Sequence, residues 1–130
     1  MSVCFAYRQN FLETKLKRFN SIKKNDDFRK VYKNGRSKSD GLLVMYVLNK
    51  DDTNNEEKIS RIGISISKKV GNSVVRHRLT RLVRECFRLN KEDFKYDADI
   101  VVIVRKGAAE SDFHEIEKSF LGLCKRQGLL

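Results

Sequence analysis

The sequence predicts an α+β fold, a two-layer sandwich of helices on a sheet, and three observations carry that expectation. Apolar residues recur at helical spacing through Ser73–Asn90. Three runs, Leu42–Leu48, Arg61–Ser67 and Ile100–Val104, are rich in β-formers. Shorter helical patterns begin near Asn25 and near Ser111. At 130 residues and 40% apolar content, the chain is of single-domain size and can bury a core.

Residues 1–20 mix Phe5, Tyr7, Phe11 and Leu12 with Arg8, Lys15, Lys17 and Arg18 and show no clean period. They read as a basic, flexible arm, followed by one domain over residues 21–130. Asn25 offers a cap for the first helix, Asp26 and Asp27 suit its positive end, and Asn34–Gly35 ends it. Phe28, Val31 and Tyr32 share one face, which serves either to bury the helix or to present aromatic rings. In Leu42–Leu48, Tyr46 shares a face with Leu42 and Val44. Residues 49–58 are too polar to pack; Asp51, Asp52, Glu56 and Glu57 there favour a solvated loop over a weak divalent site.

Arg61–Ser67 alternates, with Ile62, Ile64 and Ile66 toward the core and Gly63, Ser65 and Ser67 on a small, polar face. That small face leaves room for a ligand. Ile100–Val104 is continuously apolar, as in a strand well inside a sheet. Ser111 caps a last helix with Asp112 and Glu115 in its first turn, and Phe113, Ile116, Phe120, Leu123 and Cys124 form its inner face. There is no internal repeat and no proline.

The central helix carries the strongest functional signal. Asn72 or Ser73 caps it, and Val75, Leu79, Leu82, Val83, Cys86 and Phe87 form its apolar face. Arg76, His77, Thr80, Arg81, Arg84 and Arg88 gather opposite, with Arg78 at the edge and Glu85 interrupting. Lys68, Lys69 and a flexible Gly71 lead in. The whole chain has a net charge of +11, and Arg61–Lys91 alone holds nine basic residues against one acid. Charge so concentrated, without the opposite-sign pairs that steady a solvated helix, calls for an anionic partner. Guanidinium groups hold two phosphate oxygens at once, so nucleic acid is the partner that fits best.

Other classes are disfavoured. No apolar run approaches the ~18 residues of a membrane span. The three cysteines, Cys4, Cys86 and Cys124, have no CxxC spacing, and with His77 and His114 they give no zinc set. They suit a reducing cytoplasm, and no secretory signal is read at the N-terminus. No acid–base pair stands out for catalysis by side chains.

The run KKVGNSVVRHRLTRLVRE resembles the signature of the protein subunit of bacterial ribonuclease P, K-x-G-N-A-V-x-R-N-R-x-K-R-x-x-R-E/Q. Gly71, Asn72, Val74, Arg76, Arg78, Arg81 and Arg84 stand where that pattern wants them. His77 replaces its central Asn and Thr80 a Lys. The first helix repeats a second run of the same family, N-x-D-F-x-x-V-F/Y-x-x-G. The resemblance covers about Lys17 to the C-terminus. It implies a four-stranded, mostly antiparallel sheet in the order αβββαβα, with a left-handed βαβ crossover of the ribosomal protein S5 domain 2-like kind. It also implies docking of a catalytic RNA subunit by Lys68, Lys69, Arg76, His77, Arg78, Arg81 and Arg84. Phe28, Tyr32 and Tyr46 would bind the 5′ leader of precursor tRNA. The implied enzyme removes that leader by hydrolysis in the RNA subunit, with Mg²⁺ held mainly by RNA, and needs no membrane or obligate protein partner. The rival readings are a ribosomal or general RNA-binding protein, with the stripe but no aromatic cleft, and a metal-dependent nuclease, which needs clustered carboxylates.

Overall fold

The computed structural model describes residues 20–50 and 59–130. The predicted arm through residue 19, Cys4 and the loop acids Asp51, Asp52, Glu56 and Glu57 lie outside them. In chain order the elements are β1 (Asn20–Ser21), α1 (Asn25–Asn34), β2 (Arg36–Ser39), β3 (Leu43–Asn49), β4 (Arg61–Ile66), α2 (Ser73–Asn90), β5 (Ala98–Val104) and α3 (Phe113–Arg126).

The apolar run predicted as an inner strand is the middle of the sheet, whose order is β1-β4-β5-β3-β2. β5 pairs antiparallel with β3 from Leu43↔Val104 to Asn49↔Ala98, and parallel with β4 from Arg61↔Asp99 to Ile66↔Val104. β2 pairs antiparallel with β3. Leaving β1 aside, the sheet has the four strands the resemblance implies, three of them at the predicted runs, antiparallel in two pairings and parallel in the β4–α2–β5 unit. β1 adds a two-residue strand parallel to the outer edge of β4.

Strand alternation divides the side chains between two cores. On one face Leu43, Met45, Val47, Ile62, Ile100, Val102 and Val104 pack with Leu79, Val83, Cys86 and Phe87 of α2 and Ile116, Phe120, Leu123 and Cys124 of α3. On the other, Val101 joins Ile22 and Val31, with Phe28, Tyr46 and Leu48 around them. The expectation of two layers therefore holds under α2 and α3, while α1 adds a partial third layer on the opposite face. Its short apolar ridge is enough to cover only the middle of the sheet.

Several local expectations are corrected. Asn25 lies within α1, whose N-cap is Lys24 with no side-chain cap. Asp112, not Ser111, caps α3, its Oδ1 accepting from the Glu115 N–H at 2.8 Å. Leu42 precedes β3 and packs toward the α2–α3 side, free of the strand's alternation. Gly71 has no positive φ; a Cβ there would stand 2.9 Å from Val75, so close approach to the first turn of α2 requires it. β2, all of whose residues are exposed, offers no apolar alternation to read. It is placed instead by the Asp40 turn, where Oδ1 accepts from the N–H groups of Leu42 (2.8 Å) and Leu43 (2.9 Å).

Cys86 and Cys124 are buried as expected of reduced thiols on apolar faces. Burial raises both thiols, Cys86 well above its ordinary value and Cys124 to about 12. Because these folded-state values lie above the unfolded ones, the stability they carry is intact below about pH 8.5 and drains away as pH rises toward 12. At pH 8, iodoacetamide should leave both thiols unmodified in the native protein and label both in urea, as peptide mass mapping will show. Rapid native labelling of Cys124 would contradict this.

Candidate nucleic-acid interface

Two surfaces emerge, one on each helix-covered side of the sheet. The first is built by α1. Val31 is fully buried on the sheet and anchors the helix. Phe28 and Tyr32, three residues before and one after, flank it on the same ridge. The ring centroids of Phe28 and Tyr32 lie 6.4 Å apart, and the Tyr46 ring of β3 meets Tyr32 edge-on at 5.0 Å and 86°. The three aromatic residues singled out from the sequence therefore form one continuous cluster. Tyr32 remains 38% exposed, which leaves ring surface for a ligand. Burial raises its phenol above the ordinary value, a hydrogen bond with the Ser65 side chain partly offsets this, and Tyr46 adds to the rise. The hydroxyl is accordingly neutral at physiological pH.

Beside the rings runs an open groove of about 350 Å³, lined by Asn25, Phe28, Arg29, Tyr32, Ile64 and Ser65. The small face of β4 forms its floor only in part. A Cβ at Gly63 would lie 2.7 Å from two Phe28 ring carbons and 3.2 Å from Ile22, so the Phe28 ring occupies the space that glycine leaves. Ser65 alone of the pair faces the groove. Gly63→Ala should therefore cost about 1–3 kcal/mol by forcing the ring off its seat, against no more than about 1 kcal/mol for Ser65→Ala. Urea unfolding of the two variants makes the comparison, and equal midpoints would remove the ring from Gly63.

A charge cluster braces α1 against the sheet. Arg61 donates from Nε and Nη2 to both Asp99 oxygens at 2.9 and 2.7 Å, and from Nη1 to Asp27 of α1 at 3.3 Å. The Asp99 bonds, with both acids nearby, raise the Arg61 guanidinium above its ordinary value despite burial. Lys50, only 1% exposed, lies 3.3 Å from Asp99. Nothing in the sequence links these four residues, since only strand register and the packing of α1 on the sheet bring them together.

The second surface is the outer face of α2. Asn72 caps the helix by accepting from the Val75 N–H at 3.0 Å, and the first turn carries no acid to offset its positive end. Exposed Lys68 and Lys69 precede it, three residues beyond groove-lining Ser65. His77, Arg81 and Arg84 are exposed and fall at spacings of four and three, a straight ridge along the helix. Arg76 is half-buried at one margin, and its Nε has no hydrogen-bond partner among the described residues. Arg78 is different: its Nη1 donates to the Ser111 carbonyl at 2.8 Å and its Nη2 to that of Ala109 at 2.9 Å. It ties α2 to the segment leading into α3. Glu85, expected to interrupt the stripe, is buried and paired with Arg88 at 2.9 Å. Thr80 donates back along the helix to the Arg76 carbonyl at 2.9 Å.

Two exposed residues of these surfaces have no role in the sequence reading, although Val74 matches the family pattern. Val74, 75% exposed, sets an apolar side chain next to the basic turn. Arg29 lines the aromatic groove, and helical spacing from Asn25 and Tyr32 was the available signal. Among the described residues no three His, Cys, Asp or Glu side chains converge to hold a metal ion, and no helix is long and apolar enough to cross a membrane.

Comparison with known proteins matches the Ribonuclease P family over residues 16–128. The chain is 46% identical over 114 residues to the ribonuclease P protein component of Clostridium novyi, covering 88% of this chain and 98% of that one. It is 47% identical over 105 residues to that of Lachnoclostridium phytofermentans, covering 81% and 86%. Among solved structures, the Staphylococcus aureus RNase P protein superposes with a TM-score of 0.76 at 36% identity, covering 86% of this chain and 98% of that one. The Thermotoga maritima RNase P protein gives 0.70 at 32%, covering 82% and 96%.

Proposed function

The chain belongs to the ribonuclease P protein family, and from that premise we propose how its two surfaces divide the work. Its role is in tRNA processing, as the protein component of a ribonucleoprotein endoribonuclease whose RNA carries the catalysis. The α2 ridge docks the RNA subunit through Lys68, Lys69, Arg76, His77, Arg81 and Arg84, with Arg78 holding the helix in place for them. The α1 groove receives the 5′ leader of precursor tRNA, whose unpaired bases stack on Phe28 and Tyr32 while Tyr46 backs Tyr32. The observation that carries this division is chemical. One surface is guanidinium-rich and convex, suited to folded RNA phosphates, and the other is aromatic and grooved, suited to splayed bases.

Mg²⁺, in this proposal, is held mainly by the RNA and supplies Lewis-acid activation of the attacking water and the leaving oxygen. The protein's own donor set fits that division, because the acids that do converge, Asp27 and Asp99, are already engaged by Arg61 and Lys50. What the side chains contribute is binding, orientation and charge neutralisation. The setting is the cytoplasm, where precursor tRNA is made.

The test reconstitutes a bacterial ribonuclease P RNA subunit with this protein and measures affinity for precursor and mature tRNA at low Mg²⁺. The wild-type protein should favour the precursor, and Phe28→Ala or Tyr32→Ala should lose about 1–3 kcal/mol of that preference while affinity for the RNA subunit stays unchanged. Equal losses for both tRNAs would return the rings to a packing role. A general RNA-binding protein would show no precursor preference at all.

A further inference from the structure

The groove on α1 has a single charged side chain in its wall, and no role has yet been given to it. Arg29 lines the groove with Phe28, Tyr32, Asn25, Ile64 and Ser65. It is exposed and forms no salt bridge with any carboxylate among the described residues. Asp26, one turn before it on the same side of the helix, forms no ion pair with it among the described residues, and Asp27 is turned to Arg61. An exposed cation at the rim of an aromatic groove matches what a single strand needs. Stacking holds the bases and is indifferent to charge, whereas the linking phosphates require a positive group along the same wall. Lys30, the next residue, is also exposed but lies outside the groove.

We propose that Arg29 binds one backbone phosphate of the strand whose bases stack on Phe28 and Tyr32, and so fixes the register of the leader in the groove. This rests on the leader reading of the groove and adds to it a defined contact, in which Nη and Nε donors meet phosphate oxygens as a charge-assisted fork. Arg29 does not touch the reacting phosphodiester in this scheme. It sets which leader nucleotide meets which ring.

The experiment uses the reconstituted holoenzyme and precursor tRNAs in which each leader phosphate is replaced, one at a time, by an uncharged methylphosphonate. With the wild-type protein, one position should weaken binding about tenfold, the cost of a lost charge-assisted hydrogen bond at an exposed site. Arg29→Ala should weaken the unmodified precursor by a similar factor, leave mature tRNA unaffected and abolish the penalty at that one position. Arg29→Lys, which keeps the charge without the fork, should recover part of the affinity, and Lys30→Ala should change neither quantity. If Phe28→Ala still reduces precursor preference but every methylphosphonate penalty persists in Arg29→Ala, the Arg29 contact is overturned and the groove reading survives. If Phe28→Ala shows no precursor selectivity either, the groove reading falls and takes the contact with it.

Discussion

Replacing Asp99 by Asn should destabilise the fold by about 3–5 kcal/mol, the cost of removing one charge from a buried ion-pair cluster. Asp99 is the hub of the brace beneath α1: it accepts both forks of Arg61 and neutralises Lys50, whose side chain is 2% exposed. An amide cannot replace the carboxylate that Arg61 and Lys50 share, and the Lys50 side chain is buried. Lys50→Met should cost less, because Asp99 keeps its bidentate arginine. Asp27→Asn should cost least, about 0.2–1 kcal/mol, since both partners of that bond are partly solvated. Urea unfolding of the three variants at pH 7 gives the ranking. A loss under 1 kcal/mol for Asp99→Asn would mean that the cluster is no brace. The functional consequence follows from position. Asp27 immediately precedes Phe28, so the same network that stabilises the sheet also orients the aromatic helix.

That network is also where sequence reasoning reached its limit. Periodicity within one element is visible in the sequence, and it placed α2, α3, β4 and the apolar middle of β5 closely, together with the rings of α1. The grouping of Phe28 and Tyr32 with Tyr46 is legible only through the family resemblance, because no period within one element brings a β3 ring onto an α1 ring. Relations between elements are a different matter. Asp99, Lys50, Arg61 and Asp27 come from three strands or strand ends and one helix, and only the β3–β5–β4 register and the seat of α1 on the sheet align them. Arg78 shows the same limit. On a helical wheel it is one more arginine at the edge of a stripe, and only the fold of the Ala109–Ser111 segment reveals two carbonyls waiting for it. Gly63 was legible as small but not as covered, since its neighbour is a ring from another element. β2 was invisible because an exposed strand edge has no apolar side to alternate.

The largest effect expected in solution is the salt dependence of RNA-subunit binding. Six side chains converge on the outer face of α2 and its lead-in turn, of which the exposed Lys68, Lys69, Arg81 and Arg84 carry full charge to solvent. If the surface neutralises about five phosphates, the log–log slope of affinity against salt is near −4.5, and raising salt from 50 to 200 mM should weaken binding roughly 10²–10³-fold. Arg81→Ala and Arg84→Ala should each make that slope shallower by about one unit. Arg78→Ala should behave otherwise. Its guanidinium is held by the carbonyls of Ser111 and Ala109, so its loss should lower the melting temperature while moving the slope by clearly less than one unit. Thr80→Ala provides the neutral control, because its hydroxyl already donates to the Arg76 carbonyl and carries no charge. Titrations at four or five salt concentrations, paired with thermal melts of the free protein, separate the two kinds of arginine. A full unit of slope lost with Arg78→Ala and no change in melting would make Arg78 a phosphate ligand like the others. Unchanged slopes in both Arg81→Ala and Arg84→Ala would place the electrostatic footprint away from this helix, and α2 would then be only the crossover that joins β4 to β5.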